Sequence, residues 1–250
     1  MSQAAKHNGG VHISAEKSWV TSAGHADGYV VSTRWSAAQR PTDTMLYLVL
    51  REDEGLRIDG PWTALGMRGN ASSPMGLEKV AVGPERALSA EGKGFDTMLG
   101  VVLPVFQVCQ AALAVGIAEA AVQSTQVHLC TKSFAHLNSK LADLPNLRAR
   151  LAEMRIETDR ARAHLVSVID ALETPGPLTQ LLVLESKAAA TETAVKVTEI
   201  GMRTCGGAAF SGHLDLERFF RDARAAIVMA PTTDHLYDFI GRALCGMEVL

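Results

Sequence analysis

The chain has 250 residues, 47% of them apolar and 20% charged, and a net charge of −3 at pH 7. That composition supports one large or two modest folded domains and argues against a disordered chain. The near-neutral balance offers no bulk attraction to nucleic acid or to an anionic membrane, although it leaves room for a local basic pocket.

The first ten residues are polar and lack the apolar core of a signal peptide. Short β-rich runs then follow at residues 11–13, 18–21, 29–33, 45–50 and 77–82, separated by Ala23-Gly24, Arg40-Pro41, Gly60-Pro61 and Gly83-Pro84. Turn residues at this spacing between short β-rich runs predict a small antiparallel β domain, sheet or barrel, over residues 1–92.

From residue 93 the period changes. Leu99, Val102, Phe106, Cys109, Leu113, Gly116 and Ala120 recur by threes and fours, as do Leu147, Leu151, Met154, Thr158, Ala161, Leu165, Val168 and Leu172. Each set lines one face of a helix, and the second is long enough for bundle packing. Pro104 either kinks the first helix or marks its start. A third helix is expected after residues 174–177, with Pro177 in its first turn and Leu181, Leu184, Ala188 and Val195 on its face, ending at Gly206-Gly207. Two shorter helices are expected at 215–229 and 232–244, on either side of Pro231. The fold class is therefore α+β: a β domain over 1–92 and an antiparallel four- to five-helix bundle over 93–250.

The longest apolar stretch, residues 101–122, is interrupted by Gln107, Gln110 and Glu119, so no membrane-spanning segment and no membrane partner are expected. Cys109, Cys130, Cys205 and Cys245 are widely spaced within apolar patterns, which predicts buried, reduced thiols in a cytoplasmic protein. Nucleophile elbows, phosphate loops, dinucleotide fingerprints and zinc-helix motifs are all absent from the sequence.

Residues 203–246 read RTCGGAAFSGHLDLERFFRDARAAIVMAPTTDHLYDFIGRALCG. The paired glycines with an aromatic, the L-E-R-x-x-R-D-A-R run, the threonine-bearing turn and the closing helix resemble the C-terminal signature of the acyl-CoA dehydrogenase family. Residues 13–27, ISAEKSWVTSAGHAD, resemble that family's I-x-G-x-K-x-W-I-T strand pair, and residues 62–72, WTALGMRGNAS, resemble its L-G-x-R-x-S-x-S segment. The resemblance covers nearly the whole chain but begins partway through the family's middle β domain. It implies a fragment or truncated product, or a second polypeptide supplying the N-terminal helical domain.

The resemblance implies FAD as cofactor and an acyl-CoA or related small molecule as substrate. It also implies a homo-oligomer, dimer or tetramer, or a hetero-oligomer with the chain that carries the missing domain. Trp19 would lie beside the flavin and the Thr21 hydroxyl within reach of its ring; the plain alternative is a tryptophan buried in its strand. Gly206 and Gly207 would reach the FAD of a neighbouring subunit, and a helix C-cap is compatible with that role. Thr232 and Asp234 fall near the cofactor's diphosphate or ribose, with helix capping as the other role for Asp234. Phe134 keeps the aromatic of the family's R-x-x-F-G element, whereas Thr131 stands where its arginine would be and Lys132 lies beside it. Glu217 and Arg221, four apart on one helix, suit an ion pair, and the run around them suits structural and interface roles.

The family's proton-abstracting glutamate precedes a glycine in the terminal turn, where this chain has Ala230 and Pro231. An alternative site on the first bundle helix falls on Phe106, with Gln107 in place of an arginine. Asp96, Glu119 and Asp234 are the remaining carboxylate candidates, while His128 and His235 are the histidines best suited to a functional role, with partly buried packing as the plainer alternative. Three readings follow: an oxidoreductase acting on the CH–CH group of an acyl-CoA with another base; a flavin monooxygenase of the same fold, which needs no such base; or a non-catalytic partner subunit or fragment.

Overall fold

The computed structural model describes residues 2–7, 9–134 and 139–249, with the side chain of Phe134 outside the described part. Two compact units emerge: Met1–Ala64 with Arg68–Leu103, and Leu65–Met67 with Pro104–Leu250.

The first unit is a six-stranded sheet built from β1 (Gln3–His7), β2 (Gly10–Val20), β3 (Gly28–Arg34), β4 (Thr44–Leu50), β5 (Leu56–Ile58) and β6 (Ser73–Val82). The strand order is β4-β3-β1-β2-β6-β5. All neighbours are antiparallel except β1 and β3, which meet in parallel at the Gln3 and Arg34 pair. The sheet is therefore mixed rather than purely antiparallel: β1 turns straight back into β2, and its other edge faces β3 running in the same direction. Inward positions alternate with outward ones, so Ile13, Ala15, Tyr29, Val31, Tyr47, Val49, Leu77 and Val80 form a single core. Each large side chain in it contributes roughly 1.5–3 kcal/mol by leaving water. The runs at 11–13 and 18–21 are one strand, β2, whose pairing with β6 shifts register between Ile13 and Ala15 and again between Lys17 and Val20.

The second unit is helical. It follows α1 (Gly94–Thr97) and a π-helical turn at Met98–Val102, which fall in the first unit, and its long elements are α2 (Leu103–Thr131), α3 (Pro145–Glu173) and α4 (Thr179–Cys205). The short α5 (Gly207–Phe210), then α6 (Leu216–Val228) and α7 (Thr233–Leu244), complete it. A small hairpin of β7 (Ser133–Phe134) and β8 (Ser139–Lys140) lies between α2 and α3. Pro104 follows the π-helical turn inside the continuous helical stretch Gly94–Thr131, so it does not mark the helix start; the wider bonding of the turn accommodates its missing N–H. Pro177, by contrast, lies in the loop before α4. There the Thr179 hydroxyl accepts from Gly176 N at 2.8 Å and donates to the Ala171 carbonyl at 3.1 Å, closing the connection.

Helix α3 buries Leu147, Met154, Thr158, Ala161, Leu165 and Val168, the stripe its spacing predicts. Helix α4 is the central element and packs against α3, α6 and α7. Helix α2 departs from expectation: it buries Ala111, Ala114, Ala118 and Ala121, yet Val105, Cys109, Ala112 and Gly116 form an apolar row on its exposed side, with Val127 exposed beyond Gln123. With both faces apolar, the helical stretch Gly94–Thr131 is long and apolar enough by composition to cross a membrane, and 28% of its most apolar window is buried. The same outer side exposes Cys109 and Cys130. Cys245 is exposed as well, so Cys205 alone of the four free thiols is buried.

Candidate functional site

In the β unit, the end of β2 presents Trp19 with 78% of its surface exposed. Simple alternation from Ile13 and Ala15 would turn it inward. The second register shift in the β2–β6 pairing breaks that alternation and swings the indole out. The adjoining turn is tightly held: Ser22 N donates to the Asn70 carbonyl at 2.9 Å and Ala23 N to the Ala71 carbonyl at 3.0 Å. Tyr29 Oη accepts from Gly24 N at 2.8 Å and donates to the Ser22 carbonyl at 3.2 Å. Thr21 Oγ1 and Ser72 Oγ lie 3.1 Å apart at the edge of this knit, so the unit offers an exposed indole beside a pair of hydroxyls on rigid backbone.

In the helical unit, α4 ends at Gly206 with φ 55°, a conformation that favours glycine, and Gly207 opens α5. A side chain added at either glycine would meet nothing within 4 Å, so the backbone there is open to close approach. Phe210 follows with 84% of its surface exposed. The run at 217–224 has a structural task. Glu217 grips Arg221 at 2.7 and 3.2 Å, as its spacing predicts. Arg221 Nη1 then donates to the Leu65 carbonyl at 2.9 Å, and Met67 N donates to Asp222 Oδ1 at 2.6 Å. Between those bonds a β-carbon on Gly66 would come within 2.4 Å of the Arg221 carbonyl oxygen. Residues 65–67 thus form a strap laid directly on α6.

The turn between α6 and α7 contains the cis peptide Ala230-Pro231, with Ala230 exposed. No carboxylate occupies it, and Phe106 fills the alternative base position on α2. Thr232 is the N-cap of α7, its hydroxyl accepting from His235 N at 3.3 Å, so capping falls to this residue rather than to Asp234. Of the other carboxylates, Asp96 pairs with Lys93 at 2.9 Å and Glu119 is bonded to Arg162. Asp234 makes no ion pair among the described residues and stands exposed in the first turn of α7. His128 is buried, and burial together with nearby Lys132 holds its pKa below the usual value, which fits a neutral packing residue. His235 stacks on Phe239 with ring centres 6.3 Å apart. Phe134 pairs with Ser139 through the small hairpin, while its side chain lies outside the described residues.

Sequence reasoning missed Lys187. It sits on α4 among buried Val183, Leu184, Ala188 and Thr191 and is itself 0% exposed. Its Nζ donates to the Met229 carbonyl at 2.7 Å and the Pro231 carbonyl at 2.5 Å. The available signal was a lysine three residues after Leu184, where the helical period calls for an apolar side chain.

Comparison with known proteins places the chain in a family. Residues 1–80 match the acyl-CoA dehydrogenase middle domain and residues 92–245 match the acyl-CoA dehydrogenase C-terminal domain. A probable acyl-CoA dehydrogenase of Mycobacterium leprae is 25% identical over 228 residues, covering 91% of this chain and 58% of that protein. A cyclohex-1-ene-1-carbonyl-CoA dehydrogenase of Syntrophus aciditrophicus is 27% identical over 235 residues, covering 93% of this chain and 55% of that protein. The fold is shared with butyryl-CoA dehydrogenase from Megasphaera elsdenii, with a TM-score of 0.91 at 21% identity, covering 98% of this chain and 63% of that structure. The chain thus spans little more than half the length of the relatives it matches.

Proposed function

The chain belongs to the acyl-CoA dehydrogenase family, and from that premise we propose that it forms the flavin-holding part of an FAD-dependent oxidoreductase acting on the CH–CH group of an acyl-CoA thioester. The observation that carries this reading is Trp19, an indole 78% exposed on rigid backbone beside the Thr21 and Ser72 hydroxyls. A large aromatic left open at a strand end suits a planar ligand better than it suits water. The residues present fit FAD. The β unit offers Trp19 and Thr21; the helical unit offers open backbone at Gly206 and Gly207 and the Thr232 hydroxyl at a helix N-terminus, a favourable place for an anionic group. Bound FAD would supply the two-electron acceptor. The protein's own part is to orient that ring and the thioester and to keep water away.

The α-proton in this reading is not taken by residue 230. Ala230 has no acid–base chemistry, and the loss of a positioned carboxylate removes roughly 10²–10⁴-fold of rate. That same observation favours a second reading, in which the chain is a non-catalytic subunit that stabilises an active one. The exposed apolar row of Val105, Cys109, Ala112 and Gly116 on α2 supports assembly in either case, as a homo-oligomer or with a separate partner chain.

Anaerobic addition of an acyl-CoA to the FAD-loaded protein distinguishes the readings. Slow bleaching of the visible flavin band is expected for an oxidoreductase. A bound flavin that acyl-CoA never bleaches assigns the non-catalytic role, and turnover that demands an external reductant and oxygen assigns monooxygenase chemistry.

A further inference from the structure

We infer that Lys187 is the positioning residue of the turn at residues 229–232: its ammonium, bonded at once to the Met229 and Pro231 carbonyls, fixes the backbone on both sides of residue 230. Among the described residues Lys187 is the largest fully buried side chain and makes no ion pair. A buried ammonium without a carboxylate is costly, and an apolar side chain of similar length would fill the same space at less expense to stability. The two carbonyls explain its presence. Met229 closes α6, where carbonyls run out of helical donors, and Pro231 has no N–H to offer the turn. Nζ at 2.7 and 2.5 Å provides both missing donors from one atom.

A second contact from the same helix secures the far side of the turn. Thr191, one helical turn along α4, has its hydroxyl 3.4 Å from that of Thr233, the first residue of α7, and both residues are buried. Lys187 and Thr191 therefore set where the side chain at 230 and the Thr232 hydroxyl are presented. Burial also pulls the Lys187 pKa down to about 8, in keeping with a group held away from water.

The test compares wild type with Lys187→Met, and with Lys187→Gln should the methionine variant fail to fold. Backbone hydrogen exchange at residues 232–236 is expected to speed up about tenfold or more while the rest of α4 and α6 is unchanged, a local opening without global loss. The melting temperature should move by no more than about 3 °C. Unchanged exchange in the turn overturns the assignment, and so does faster exchange spread over α4, α6 and α7, which would make Lys187 a core strut. A further readout rests on the function proposed above: in FAD-loaded Ala230→Glu protein, adding Lys187→Met should lower the maximal bleaching rate about tenfold or more with half-saturation by acyl-CoA unchanged, because misplacement by an ångström is costly to rate and not to binding. If no variant binds FAD, that function fails, and the exchange pattern alone decides the role of Lys187.

Discussion

The end of β2 and the turn between α6 and α7, each taken within its own unit, are built in opposite ways. At the end of β2, functional side chains stand on firmly held backbone, with Trp19 exposed and Thr21 beside Ser72. At the turn, the support is complete while the chemistry is absent: Lys187 clamps two carbonyls, Thr232 caps α7, and the residue so carefully held is an alanine. The scaffold that presents a catalytic group and the group itself are separable. Packing and hydrogen bonding maintain the first whether or not the second is there.

The largest expected effect comes from placing a carboxylate at the turn. Ala230→Glu should accelerate acyl-CoA-dependent flavin bleaching by roughly 10²–10⁴-fold, the range of a well-placed acid–base group. Stopped-flow absorbance reads this directly, and an unaltered rate would mean that the turn does not border the reacting carbon. Next in size is Gly66→Ala, which tests whether the strap on α6 is as tight as its geometry. A methyl group placed 2.4 Å from the Arg221 carbonyl must displace backbone rather than a flexible side-chain end. A loss of roughly 3 kcal/mol in urea unfolding is expected, and stability equal to wild type would show that residues 65–67 are free to lift.

A smaller effect is carried by pH. The folded-state pKa of Lys187, lowered by burial to about 8, lies below the 10.5 of a free lysine side chain. Between those values the unfolded chain binds more protons than the folded one, so stability should rise as pH increases from about 8 towards 10.5 and be flat below that window. The gain stays under roughly 3 kcal/mol, since the two carbonyls favour the ammonium and oppose the shift. Chemical denaturation of wild type and Lys187→Met across that range isolates this rise in stability, which the methionine variant should lack. The smallest change is Thr232→Ala, which removes an N-cap whose hydrogen bond is 3.3 Å long. It should cost roughly 0.5–1 kcal/mol, visible as fraying of α7 in hydrogen exchange.

Much of the fold was legible in the sequence. Leu147, Met154, Thr158, Ala161, Leu165 and Val168 recur at a helical period and are the buried face of α3, while Gly206 with its positive φ ends α4 where the paired glycines predict. Other features were hidden for physical reasons. Strand β1, QAAKH, is polar and mostly exposed, so it carries no alternation to read. The exposure of Trp19 depends on a register shift set by pairing with β6, a property of two strands rather than one. Cys109 and Cys130 follow an apolar pattern that lies on the uncovered side of α2, and pattern alone does not say which of two apolar faces is buried. The strap joins Met67 to Asp222 across 155 positions, a separation at which no local rule operates. Glu119, a candidate base in the sequence, is instead engaged by Arg162.

Titration of the purified protein with FAD, followed by its visible absorption and by flavin fluorescence, tests the central claim most directly. The account predicts saturable binding with a structured visible flavin band, weakened about tenfold or more in Trp19→Ala as an aromatic contact worth roughly 0.5–1.5 kcal/mol and its buried area are lost. A protein that remains colourless after incubation with FAD, or that binds it equally well without Trp19, would contradict it.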